Sequence, residues 1–404
     1  MAAMSTVKKA AAKSKPAVSD PEALAMVLEL MAIPGRPGEE AAVMKYICAQ
    51  LRTAGVPASA FSFDDAHKRT PLKGQVGNLI LKLPGTVRGQ RRMLSAHVDT
   101  VPICVGSRPV RRGKYVVSAD KNTGLGADDR AGAAVLLAAA IDIFRGKLPH
   151  PPLTFLWTIE EEVGLFGARY VRLAKLGKPK LAFNFDGGSP VILKVGATGG
   201  YRMTIEIEGL ASHAGNRPEE GVSAIAIASL AIADLVQNGW HGLIKKDGEA
   251  GTSNVGVIQG GEATNVVTNH VRIRAEARSH NPKFRQRIVD EIEAAFRRAA
   301  AEVHNTANKC GSVDFEGRLD YESFRLTPEE PCVAAAAAAI AAEGAKPDYA
   351  VTNGGVDGNW LTAHGIPTVT LGCGQRNIHT VDEQLDIAEF QQARRIALRL
   401  ATGG

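Results

Sequence analysis

Cysteine is scarce and unpaired in this chain: Cys48, Cys104, Cys310, Cys332 and Cys373 form no close pair along the sequence. That argues against a disulfide framework and a thiolate zinc site, and it fits a reducing cytoplasm. Long apolar runs are missing as well. AGAAVLLAAAI at 131–141, among the longest, falls short of the roughly eighteen residues a bilayer span needs, so no membrane is expected as a partner. Acidic residues are absent before Asp20. The segment MAAMSTVKKAAAKSKPAVS also lacks the apolar stretch of a secretory signal, so residues 1–19 are expected to be a disordered tail. Its Lys8, Lys9, Lys13 and Lys15 supply four units of the formal charge of +6, which leaves +2 for everything else. A nucleic-acid binder should carry its basic stripe on the fold itself, and no nucleic-acid partner is expected here.

What remains is an ordinary globular composition, 45% hydrophobic and 22% charged, on a chain of 404 residues that is too long for one core. Two domains are expected. Helical patterns at 21–33, 38–54, 128–144 and 163–175 alternate with strand patterns at 77–83, 91–96, 152–159 and 181–185, which implies a mixed or parallel sheet with helices on both faces. From 200 the texture changes to alternating strands (200–208, 253–258, 270–277, and one within 311–324) with helices at 221–237 and 282–303. This βαββαβ order suits a small ferredoxin-like α+β domain inserted into the α/β one. The expected division is 20–196 and 325–404 for the larger domain and 197–324 for the insertion.

Five acidic or imidazole clusters follow strand-like segments, the place where open α/β sheets gather ligands. They are His97 with Asp99; Asp128 and Asp129 in TGLGADDRAG; Glu160, Glu161 and Glu162; Asp186; and His379. Each alone has a bland explanation, such as a helix-dipole contact for the Asp pair or a turn for Asp-Gly. GLGADD could pass for a phosphate loop, but its two aspartates would repel phosphate. Gathered in one cleft, three carboxylates and two imidazoles would be costly without cations. Two divalent zinc ions would remove that cost, with cobalt or manganese as substitutes for this nitrogen and oxygen donor set.

HVDT, GADDRAG, EEVG, FDGG, ASHAG and NIHTVDE occur in the order found in the cocatalytic dizinc peptidases, the family of peptidase T, carboxypeptidase G and aminoacylase. The chain resembles that family along nearly its whole length after the tail. The resemblance implies a catalytic domain carrying an inserted lid and dimerisation domain, and it assigns His97 and Asp186 to one zinc, Glu162 and His379 to the other, and Asp128 to the bridge. By the same resemblance Asp99 orients His97, a cis peptide joins Asp128 to Asp129, and Glu161 is the general base. Glu160 stands where the family more often has Asp. In the insertion, His213 is implied to stabilise the oxyanion, frequently across a dimer interface, and Asn265 and Arg278 to hold substrate. Gly354, Gly355 and Asp357 resemble a substrate-side loop.

The implied activity is zinc-dependent amide hydrolysis of short peptides by a homodimer. GADDRAG, FNFDGG and GGVDGN lean toward a peptidase T-like aminopeptidase, while NIHTVDE follows the wider family. An N-acyl amino acid deacylase or a carboxypeptidase is the alternative within the family. A non-catalytic metal-stabilised binding protein is the alternative of another class.

Overall fold

The expected alternation of strands and helices resolves, in a computed structural model describing residues 18–404, into three sheets. The lysines of the N-terminal tail lie outside the described residues. Val18 and Ser19, assigned to that tail on sequence, are tied into the fold. Val18 is fully buried and its N–H donates to Asp142 Oδ1 at 2.6 Å, and Ser19 Oγ accepts the Glu22 N–H to cap the helix Asp20–Ala32.

The largest sheet is nine-stranded and mixed. Its order is Phe61–Phe63, Leu79–Leu83, Leu153–Thr158, Arg92–His97, Leu181–Phe185, Thr368–Leu371, Ile192–Ala197 and Phe324–Arg325, with Asp348–Thr352 pairing Ile192–Ala197. The strands 153–158, 92–97, 181–185 and 368–371 run parallel to their neighbours in that group. Both of their faces are covered, which is why LTFLWT and RMLSAH show apolar residues in succession rather than in alternation. Leu94, Phe155, Trp157 and Phe183 face the main core, while Met93, Leu156 and Ala182 face a smaller cluster with Ala168, Leu176 and Leu361. The Ala-rich helix Ala127–Gly146 is buried from Ala127 to Ile143, its small side chains letting it sit against the sheet and the helices Asp20–Ala32 and Ile387–Thr402.

Between Ile192–Ala197 and Phe324–Arg325 the chain builds a second, antiparallel sheet in the order Gly242–Lys246, Glu249–Gly260, His270–Ser279, Gly199–Glu208, Ser312–Tyr321. The last four of these strands, with the helices Ala224–Gln237 and Pro282–Glu302, have the ferredoxin-like arrangement expected from the pattern. Gly242–Lys246 is an additional edge strand. This unit has its own core, in which Ile205, Ile207, Val271 and Ile273 meet Ile227, Ile288 and Phe296.

Two further features depart from expectation. The helix expected at 163–175 is two four-residue helices, Phe166–Arg169 and Leu173–Leu176. Gly164 and Leu165 have φ of +136° and +56°, and a Cβ on Gly167 would fall 2.4 Å from the Ile159 carbonyl, so the segment turns tightly instead of continuing. A small third sheet, Gln375–Arg376, Gln384–Asp386, Tyr115–Ser118 and Pro109–Arg112, pins both ends of the loop 377–383.

Candidate metal centre

Four parallel strands end on one edge of the large sheet, and each delivers an acidic or imidazole side chain there. Arg92–His97 ends in His97, Leu153–Thr158 leads to Glu160–Glu162, Leu181–Phe185 leads to Asp186, and Thr368–Leu371 leads to the loop holding His379. Asp128 enters from the start of the helix Ala127–Gly146, where the peptide bond Asp128–Asp129 is cis and both residues have non-helical backbone.

The two carboxylate oxygens of Asp128 face different imidazoles. Oδ1 is 3.1 Å from His97 Nε2, and Oδ2 is 3.2 Å from His379 Nε2. His379 Nε2 also lies 3.0 Å from Glu162 Oε1. His97, Asp128 and Glu162 present donor atoms within 4.8 Å of one another, and so do His97, Asp129 and Asp186. Asp129 is the less available of these donors. Its Oδ2 accepts the His97 N–H at 3.1 Å, and its Oδ1 accepts from Gly132 N–H at 3.1 Å and Gln375 Nε2 at 2.7 Å. Asp186 has no such commitments from its carboxylate among the described hydrogen bonds.

On its other side His97 Nδ1 lies 3.4 Å from Asp99 Oδ1 and 3.2 Å from the Asp99 carbonyl. Asp99 is fully buried and also accepts the N–H of Glu161 at 3.0 Å and of Glu162 at 3.1 Å. One carboxylate thus touches an imidazole and the turn bearing the two glutamates.

The electrostatics fit a site built for cations. Burial pushes the Glu161 carboxyl well above the usual range, and Asp186, Glu162 and Asp357 push it the same way against the opposing His97. Burial likewise raises Asp186, and raises Glu162 to about 7 against its hydrogen bond to His379. Burial would lower the His97 imidazole, but its bonds to Asp128 and Asp99 carry it well above its ordinary value. His379, bonded to Asp128 and Glu162, rises to about 10. Without cations these groups favour their protonated forms, and cation binding would displace the protons. The donor set, two imidazole nitrogens and carboxylate oxygens with a bridging geometry at Asp128, suits divalent transition metals. The centre is closed around His97 and open at His379, whose side chain is 46% exposed against 2% for His97.

Three contributors escaped the sequence reading. Glu383 Oε2 accepts the N–H of Leu125 at 2.8 Å and of Gly126 at 2.7 Å, and its Oε1 accepts the N–H of Asp128 at 3.0 Å. Gln375 holds Asp129, and Glu40 accepts the Glu160 N–H at 3.1 Å. Glu383 had a signal, since it closes the NIHTVDE motif four residues after His379. Glu40 had none.

The predicted residues of the insertion have partners of their own. His213 is exposed, and its Nδ1 accepts the N–H of Gly215 at 3.1 Å and of Asn216 at 3.2 Å. In the neutral ring the proton is then on Nε2, which is left as a donor. Asn265 sits across from it, its carbonyl accepting the Ala214 N–H at 2.9 Å. Arg278 is half-buried and bonds both oxygens of Glu276 at 3.0 Å. Among the described residues no hydrogen bond joins His213, Asn265 or Arg278 to the centre. In the loop 353–357, a Cβ on Gly355 would fall 2.9 Å from the Tyr321 ring, so only glycine fits. Asp357 is buried; its Oδ2 accepts the Thr158 hydroxyl proton, and its Oδ1 has no hydrogen-bond partner among the described residues. Gly354 donates its N–H to Thr352 Oγ1 at 3.1 Å.

Known proteins resemble this chain in sequence and in fold. The chain is 33% identical over 374 residues to the uncharacterized protein YqjE of Bacillus subtilis, a match covering 92% of this chain and 95% of that one. Among solved structures it superposes on the aminopeptidase PepT of Bacillus cereus with a TM-score of 0.81 at 31% identity, covering 95% of this chain and 98% of that one. A tripeptidase of Staphylococcus aureus gives a TM-score of 0.84 at 29% identity, with coverage of 95% and 98%. Among the described residues no helix is long and apolar enough to cross a membrane. Residues 93–403 match the signature described as peptidase family M20/M25/M40, and with that match the chain belongs to this family and is a hydrolase of the metallopeptidase type.

Proposed function

We propose that this protein is a dizinc hydrolase of short peptides, an aminopeptidase of the peptidase T kind that works as a homodimer in the cytoplasm. The observation that carries the reading is the Asp128 carboxylate spanning His97 and His379 at 3.1 and 3.2 Å, with Glu161 next in sequence to the His379 partner Glu162. His97 and Asp186 would hold one ion, Glu162 and His379 the other, with Asp128 between them. A divalent pair bound there supplies Lewis acidity toward an amide carbonyl and eases ionisation of water. Cobalt or manganese would serve the same donors.

Glu161 takes the proton of the attacking water and returns it to the leaving amine. In the metal-free protein its burial among Asp186, Glu162 and Asp357 raises its proton affinity. Asp99 holds the Glu161 and Glu162 amides and the far side of His97, so ligand and base move as one unit. His213, with Nε2 as donor, would serve the oxyanion once the insertion closes, and Asn265, Arg278, Gly355 and Asp357 would line the substrate's path. The resemblance to an aminopeptidase PepT and a tripeptidase supports free short peptides over N-acyl amino acids.

Dimerisation through the insertion is supported by its exposed apolar side chains: Ile225, Leu230 and Val236 on the helix Ala224–Gln237, and Leu243 on the edge strand Gly242–Lys246. The free state of all four described buried cysteines, Cys48, Cys104, Cys332 and Cys373, supports a reducing compartment.

The test is turnover of a tripeptide and dipeptide panel by zinc-loaded wild type and Glu161→Gln, with product analysis to show which end is trimmed. Glu161→Gln is expected to lose on the order of 10² to 10⁴ in kcat while binding metal normally. Equal rates would remove Glu161 from the mechanism, and hydrolysis only of N-acyl amino acids would replace peptides as the substrate.

A further inference from the structure

The loop 33–40 joins the first two helices and precedes the residues matched by the family signature. It nevertheless reaches three segments of the centre. The Gly35 carbonyl accepts the N–H of Thr100, next to Asp99, at 3.0 Å, and Nη2 of Arg130, next to Asp129, at 3.3 Å. Glu40 Oε1 accepts the N–H of Gly38 at 2.8 Å and of Glu160 at 3.1 Å.

The last contact completes a pattern. Three consecutive amides follow the strand Leu153–Thr158, and two fully buried carboxyl groups hold all three: Glu160 donates to Glu40, while Glu161 and Glu162 donate to Asp99. Glu160 has φ of +50°, a region a residue with a side chain rarely adopts without support. Its own Oε1 accepts from the Thr70 hydroxyl at 3.0 Å, and among the described hydrogen bonds its carboxyl meets neither imidazole. A Cβ on Gly74 would come 2.9 Å from Glu160 Oε1 and 2.8 Å from the Gly38 Cα, so the loop and the turn are packed against each other.

We propose that Glu40 is a positioning residue for the reaction: by holding the Glu160 amide it fixes the direction in which Glu161 and Glu162 leave the strand. Without that acceptor Glu160 relaxes toward negative φ, and rotation there swings both following side chains. A displacement near 1 Å is enough to cost about 10²-fold in rate. The inference rests on the reading of Glu161 as base, but the contact itself is independent of it.

Two variants separate positioning from bulk. Glu40→Met fills the same space without an acceptor, and Glu40→Gln keeps an oxygen at the same reach. At saturating zinc Glu40→Met is expected to lower kcat about 10- to 100-fold with KM little changed and to weaken metal affinity through the displaced Glu162, and Glu40→Gln to restore most of both losses. Hydrogen exchange of the metal-free protein gives a readout without turnover: the amides of 160–162 should exchange about tenfold faster or more in Glu40→Met and recover protection in Glu40→Gln. Should Glu40→Met fail to fold, Thr70→Val loosens the same turn from its other side and is expected to move kcat and exchange in the same direction. Unchanged exchange at 160–162, or equal kcat losses in the Met and Gln variants, overturns the proposal. A wild type that hydrolyses no amide would sink the reading of the function, and the exchange result would still decide the role of Glu40.

Discussion

Glu383 and Asp128 are joined by a single hydrogen bond, the Asp128 N–H donating to Glu383 Oε1 at 3.0 Å, across 255 positions of sequence. The same carboxylate accepts the amides of Leu125 and Gly126, so the loop entering the helix Ala127–Gly146 is shaped around one buried acid. Asp128 can face both imidazoles only while that loop holds its course. Glu383→Ala leaves three amides without an acceptor and is expected to weaken metal binding by about 10- to 100-fold. Chelator competition measures it. Affinity equal to wild type would mean the loop holds its shape without the acid.

A second prediction concerns pH. Burial, reinforced by the Asp99 charge, pushes the Glu40 carboxyl up to about 8, and burial raises Glu160 to about 7. Both ionise near 4.5 in the unfolded chain. Between those values the folded state binds more protons than the unfolded one, so stability is full below the unfolded value and is lost as pH rises through the folded one. The melting temperature of chelated protein should therefore fall from about pH 5 to about pH 8. Glu162 adds a loss of the same sign, so Glu40→Gln should flatten the slope without abolishing it. Identical slopes for the two proteins would mean that Glu40 is ionised in the fold.

Gly132 is the third target. A Cβ there would fall 2.1 Å from the Phe185 carbonyl and 2.5 Å from Asp129 Oδ1. The helix bearing Asp128 and the strand leading to Asp186 therefore meet at a point where only hydrogen fits. Gly132→Ala forces them apart and should cost about 1 to 3 kcal/mol of stability. Metal stoichiometry should drop as well, because the displaced backbone carries donors on both sides. A thermal melt together with elemental analysis checks both effects.

The parts legible in the sequence were those governed by local pattern. Buried parallel strands such as LTFLWT announce themselves by continuous apolar residues, and the ferredoxin-like unit by alternation in MTIEIE and VRIRAEA. His97, Asp128, Glu160–Glu162 and Asp186 were legible because they close a strand or open a helix, and His379, in the loop 377–383, because it sits in the NIHTVDE motif. What escaped depends on pairings distant in sequence. The strand Tyr115–Ser118 is four residues long and exists because Gln384–Asp386 pairs with it. Glu40 is an ordinary helix-start acid until Glu160 arrives 120 positions later. The helix expected at 163–175 failed because a glycine approach to Ile159 and two positive φ values override helical periodicity.

His213 supports the last prediction. Its Nδ1 is occupied by two backbone N–H groups, its Nε2 is the free donor, and it makes no hydrogen bond with the centre of its own chain. A donor so presented can serve its own centre after closure or the centre of a second copy. Loss of an oxyanion donor costs about 10² to 10³ in kcat, so His213→Ala should fall by that much with metal content unchanged. Mixing separates the two routes. When His213→Ala and Glu161→Gln subunits are refolded together, a donor acting across the interface gives each mixed dimer one complete site, built from the intact Glu161 of one copy and the intact His213 of the other. Random pairing then restores about a quarter of wild-type activity. A donor acting within its own chain restores none, because every site lacks one of the two groups. The exposed apolar residues of the insertion favour the first outcome, and a flat mixing curve would exclude it.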